Sequence, residues 1–142
     1  MLILRNTDRV PCKIGKITLW VSPITWAEKT NLFKMVSLKG GQEKTDETGM
    51  LIETLRLSIK KVDGLSHYKF SDGSKASLEF DDNGRLTTES LELLIRLLGP
   101  VPVSRISSAI LTDALNDDIE GFEIDYSKVE DTSKKKSSSV NQ

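Results

Sequence analysis

Between residues 10 and 22, VPCKIGKITLWVS, the apolar positions change parity part-way along. Cys12 and Ile14 share one parity, and Ile17, Leu19 and Val21 share the other, with Gly15-Lys16 between them. A parity switch at a glycine predicts two short strands, or one bent strand, with a turn or bulge at that point. The next stretch, SPITWAEKTNLFKMVSLKGG, predicts a helix over residues 25–38. Thr25 and Glu28 have the spacing of a capping box, which satisfies two free N–H groups, and Ile24 is placed to staple the first turns. Ala27, Thr30, Phe33 or Lys34, and Leu38 trace a loose apolar stripe, widened by Trp26, Met35 and Val36. Gly40-Gly41 is a natural terminator.

After a polar loop, Leu51, Ile52, Leu55, Ile59 and Val62 recur at three- and four-residue steps. That spacing predicts an amphipathic helix running to Asp63-Gly64, with Lys60 and Lys61 in its last turn. Tyr68 and Phe70 alternate, Asp72-Gly73 offers a turn, and Leu78 and Phe80 alternate again, the pattern of a β-hairpin. TTESLELLIRLLGP gives a third helix, capped by Thr87 or Thr88 and stopped at Gly99-Pro100. A fourth is expected after Ser104, with Ile106, Ala109, Ile110, Ala114 and Leu115 on one side. The fold class is therefore α+β: a mainly helical core of three to four helices, an N-terminal β segment and a small hairpin.

From Asp113 to Asp131 there are eight acidic residues and one lysine, with Ile119, Phe122, Ile124, Tyr126 and Val129 spaced among them. So charged a context predicts one globular domain over residues 1–116 and a disordered tail over 117–142, acidic and then Lys/Ser-rich. The isolated apolar residues have the pattern of anchors that order on a partner's groove; incidental apolar residues on a solvated tail are the alternative.

Composition narrows the function classes. The chain has 142 residues, 37% hydrophobic and 29% charged, with 20 basic residues against 21 acidic and a net charge of −1. That balance lacks the basic footprint of a nucleic-acid binder. No run of about 18 apolar residues occurs, so no membrane span is expected. One cysteine, Cys12, and one histidine, His67, exclude an internal disulfide and a Cys/His zinc site. A soluble, cytoplasmic, single-domain protein fits these facts.

Candidate chemistry is sparse. Glu79, Asp81, Asn83 and Gly84 match the start of a calcium loop, but the twelfth position is Ser90, with Glu89 one residue early. A strand end, a turn and a helix cap explain the same residues. His67 has no nucleophile at a motif spacing, and Cys12 reads as a small buried residue. No phosphate-binding glycine motif exists, no cofactor or metal is expected, and the chain reads as no enzyme. The candidate residues for partner binding are Trp26, Phe33 and Met35 on the first helix, and Phe122, Ile124 and Tyr126 near the end. A stripe of aromatics and methionine at helical spacing is more often core, whereas tryptophan, as at Trp20 and Trp26, is enriched in interface hot spots.

The order of elements carries a resemblance. A β segment, then ITWAEKTNLF opening a helix, ETLRLSIKKVDG, a short DG hairpin and TESLELLIRLLG before a charged tail resemble the small tail assembly chaperones of long-tailed bacteriophages, over roughly residues 10–115. Baseplate assembly proteins have a similar layout. The resemblance implies a non-catalytic protein of the host cytoplasm, absent from the mature virion, that binds the helical tape measure protein and helps recruit tail tube subunits. Homo-oligomerisation is compatible with it. A structural virion component, such as a tail completion, connector or baseplate part, is the alternative. In many such systems a programmed ribosomal frameshift near the end of the short protein makes a longer form. Lys134–Lys136 would be the trace of a slippery codon run, and this chain the unshifted product.

Overall fold

The computed structural model describes residues 3–37 and 47–132. Strands β1 (Asp8–Ile14) and β2 (Ile17–Val21) form an antiparallel hairpin around Gly15-Lys16. Gly15 has φ 58°, the left-handed value that suits glycine at the first central position of a two-residue turn. Such a turn explains the change of parity. Val10↔Val21, Cys12↔Leu19 and Ile14↔Ile17 are cross-strand pairs, so both sets lie on one face of the sheet. Val10, Cys12, Leu19 and Val21 are completely buried there.

Helix α1 (Trp26–Ser37) follows, and α2 (Glu47–Ser58) packs against it. The terminator Gly40-Gly41 lies outside the described residues. The helix expected to run to Asp63 instead ends at Ser58, and Ile59–Asp63 forms strand β3, paired with β2. Trp20 pairs with Lys61 but Val21 pairs with Ile59, so Lys60 is an extra, bulged residue. The bulge stretches the inward spacing from two to three, and Ile59 and Val62 thereby imitate a helical step. Ser58 ties the junction together: its carbonyl accepts the Ser22 N–H at 2.9 Å, and its hydroxyl donates to the Thr54 carbonyl at 2.8 Å. The Lys60 ammonium donates to the Leu57 carbonyl at 3.0 Å, satisfying one of the free acceptors of the helix end.

One expected hairpin becomes two separate tight turns after a 3-10 turn at Leu65–His67. Single bridges close them, Lys69↔Lys75 and Phe80↔Leu86. Each is organised by an aspartate. Asp72 accepts the Ser74 N–H at 2.9 Å, and Asp81 accepts those of Asn83 at 2.9 Å and Arg85 at 3.1 Å. Two local Asp-centred turns leave too little chain between them for one extended ribbon.

Helix α3 (Thr88–Leu98) is capped by Thr87, whose hydroxyl accepts the Ser90 N–H. At Gly99, φ 87°, the chain turns through 114° into α4 (Pro100–Leu111). This fourth helix starts at Pro100 rather than after Ser104. Pro100 and Pro102 occupy its first turn, where an N–H has no helical acceptor, so proline opens the helix at no cost in hydrogen bonds. The inner sheet face and the apolar sides of α2, α3 and α4 share one aliphatic core, in which Leu55, Leu94 and Ile106 are fully buried.

The globular fold does not stop at residue 116. Two-residue strands β4 (Glu123–Ile124) and β5 (Glu130–Asp131) both pair antiparallel with β1, giving the sheet order β3-β2-β1-β4 with β5 also on β1. Ile119 and Phe122 enter the core, and the Tyr126 hydroxyl sits 3.0 Å from the Leu115 carbonyl and 2.8 Å from that of Asp117. Apolar residues few in number suffice, because the core they join is supplied by the rest of the chain. Residues 133–142, with Lys134–Lys136, lie outside the described residues.

Pro11 explains why this segment pairs in two pieces. In a two-residue hairpin the residues flanking the turn exchange both hydrogen bonds, so Ile14, Cys12 and Val10 aim their N–H groups at β2. Pro11 therefore faces the opposite edge, where it has no N–H to give. Opposite that position the chain leaves the sheet through a 3-10 turn, Tyr126–Lys128, and rejoins it at Glu130. Replacing Phe122 by alanine is expected to destabilise the protein by about 3 kcal/mol in urea unfolding. An unchanged midpoint would mean that residues 117–132 are not part of the cooperative fold.

Candidate partner-binding surface

Helix α1 begins with the capping box that the sequence predicts. Glu28 N–H donates to the Thr25 hydroxyl at 3.1 Å, and Thr25 N–H donates to Glu28 Oε1 at 2.8 Å. Glu28 Oε2 also lies 3.6 Å from the Arg85 guanidinium, which links the helix to the second Asp-centred turn. Ile24 is buried just before the cap, and Leu32 is buried two turns later. Among the described side chains of α1, Leu32 alone is buried.

The loose stripe of Ala27, Thr30 and Phe33 therefore faces water rather than the core. Trp26 is 80% exposed and Phe33 51%. Seven residues apart, they stand on one line of the helix with Thr30 between them. The Thr30 hydroxyl donates to the Trp26 carbonyl at 2.8 Å, so its polar group is occupied by the helix backbone. Trp26, Thr30 and Phe33 make an outward ridge. Lone exposed apolar residues are ordinary, but two aromatics in line are not scattered. Covering the two rings would release about 2–3 kcal/mol each. Met35 lies on the same helix, but its side chain is outside the described ones.

The other three candidate anchors serve the chain's own fold. Phe122 is buried in the core, Ile124 is half-buried opposite Cys12, and the Tyr126 hydroxyl is bound to backbone carbonyls. The sequence pattern does not reveal that their groove is β1, because the pairing joins residues far apart in the chain.

Both edges of the sheet carry features that disfavour further strands. The outer side of β1 carries β4, β5 and Pro11, while β3 presents a bulge and two lysines, features that discourage edge pairing. The sheet's outer face is a shallow groove of about 500 Å³ lined by Pro11, Lys13, Trp20, Asp63, Glu123 and Lys128. Several of its polar groups are engaged with one another. Trp20 Nε1 donates to Asp63 at 2.8 Å, Lys61 sits 5.1 Å from the Trp20 ring centroid, and Lys128 lies 3.8 Å from Asp125.

The residues with chemical potential are dispersed. His67 is exposed at the end of its 3-10 turn. The carboxylate of Asp81 holds its own turn, consistent with the turn-and-cap reading of the calcium-like stretch. Among the described residues no cluster of three or more His, Cys, Asp or Glu could hold a metal ion. No single described helix is long and apolar enough to cross a membrane. Cys12 is buried, which pushes its thiol up to about 12. Compared with known proteins, the chain matches no family model, no curated protein and no solved structure.

Two measurements check this description. Trp26→Ala with Phe33→Ala should cost no more than about 1 kcal/mol of folding stability, since Trp26 is mostly in water and Phe33 is half exposed. A large loss would place them in the core. For Cys12, the folded protein should resist iodoacetamide at pH 8 and react once unfolded in denaturant. Because the folded thiol ionises at about 12 against an ordinary 9.0, its contribution to stability is complete below pH 9 and is lost as pH rises from there towards 12.

Proposed function

We propose that this chain is a non-catalytic assembly chaperone of a long-tailed bacteriophage, acting in the host cytoplasm. It binds the tape measure protein, keeps it soluble and helps recruit tail tube subunits, and it is left behind when the virion matures. The exposed aromatic ridge of α1 carries this reading. A chaperone for a long helical protein needs an apolar surface that is available in the folded state and can be vacated later. Trp26 and Phe33 meet both needs. They are already in water, and their removal from a partner exposes only a small area. The element order from the N-terminal hairpin to the leucine-rich α3 adds the resemblance to that protein class. Under the same reading Lys134–Lys136 mark the place to look for a slippery codon run in the gene.

Co-expression with the tape measure protein encoded beside it should raise that protein's soluble fraction and yield a complex in pulldown, while purified virions should lack this chain. Failure to form the complex would sink the chaperone reading. A fixed copy number in purified particles would replace it with the structural-component alternative.

A further inference from the structure

We infer that the α1 ridge receives an amphipathic helix of the partner protein whose apolar stripe is flanked by carboxylates. The partner's identity rests on the chaperone reading, whereas its chemistry is read from α1 alone. At about 100° per residue, Trp26, Thr30 and Phe33 occupy one narrow arc, and Lys29 and Lys34 fall on its two opposite flanks. The ridge is about 10 Å long, two helical turns, and its i, i+4, i+7 geometry is that of a row that seats in the groove of another helix.

The charged groups on its rim are cationic. Lys29 and Lys34 supply ammonium groups, and no ion pair forms with either among the described residues. The indole N–H of Trp26 makes no hydrogen bond among them, in contrast to that of Trp20. The nearest carboxylate on the helix, Glu28, is occupied by the Thr25 N–H and by Arg85. The Thr30 hydroxyl proton is spent on the Trp26 carbonyl. An apolar ridge bracketed by donors that have no ion pair among the described residues is complementary to an apolar groove bracketed by acceptors, and Asp and Glu are the side chains that supply charged ones. An anionic bilayer would also meet the lysines, but it favours a broad apolar face, and α1 presents one row.

The test uses two labelled synthetic helices with the same leucine stripe, one flanked by glutamates and one by lysines, titrated onto the full chain by fluorescence anisotropy. The glutamate peptide should bind and the lysine peptide should not. Lys29→Glu with Lys34→Glu should weaken the first about tenfold or more and reverse the preference. Trp26→Ala with Phe33→Ala should abolish binding of the glutamate peptide, with the circular dichroism of each variant unchanged. Equal binding of the two peptides, binding of neither, or indifference to the lysine reversals would overturn the inference. So would binding to phosphatidylserine vesicles in place of the glutamate peptide. The two levels separate cleanly in pulldown. A tape measure complex that survives both double variants removes this surface and leaves the chaperone, whereas peptide discrimination without any such complex leaves the surface and removes the chaperone.

Discussion

Strand β1 is held on both sides, and most of the molecule depends on that. On one side it pairs with β2 through a two-residue turn, which fixes the register and turns Val10, Cys12, Ile17, Leu19 and Val21 to one face. On the other it takes β4 and β5, which bring Ile119 and Phe122 into the core. A one-residue slip would turn the whole inner row to water. Pro11, the one residue of β1 with no N–H to give, lies where the opposing chain departs. A local backbone property thus sets the shape of a distant segment.

What could be read from the sequence follows the range of the interactions. The capping box at Thr25 and Glu28, the cap at Thr87 and the turn at Gly15-Lys16 act over two to four residues, and each appears in the structure where the sequence places it. The α+β class follows from them. The end of α2 was illegible because the bulge at Lys60 converts a strand's spacing into a helix's. Residues 117–132 were illegible because their apolar partners lie in β1, and composition carries no record of a contact so remote. On α1, a stripe that satisfies helical periodicity says only that one side is apolar. Whether that side meets a core or water is decided by the neighbouring elements, and here Leu32 took the inward position.

The sparse burial among the described side chains of α1 and its strong capping belong together. A twelve-residue helix is marginal alone, and tertiary packing ordinarily supplies its stability. With Leu32 alone buried among its described side chains, α1 draws on the reciprocal Thr25–Glu28 hydrogen bonds and the tie from Glu28 to Arg85. The ridge can remain in water because the helix does not require it for folding. Surface that folding leaves unused is surface that binding can use.

The pairing of β1 with β4 and β5 also imposes an order in time. Arg5 and Asp131 meet across a separation of 126 positions. Chains emerge from the ribosome N-terminus first, at about 5–20 residues per second. The β1–β2 hairpin is therefore exposed seconds before the residues that cover its outer edge have been made. During that interval the edge is blunted by the charges of Arg9 and Lys13 and by Pro11, the one residue of β1 with no N–H to offer a passing strand. A proline that later interrupts the sheet is, in the nascent chain, its guard.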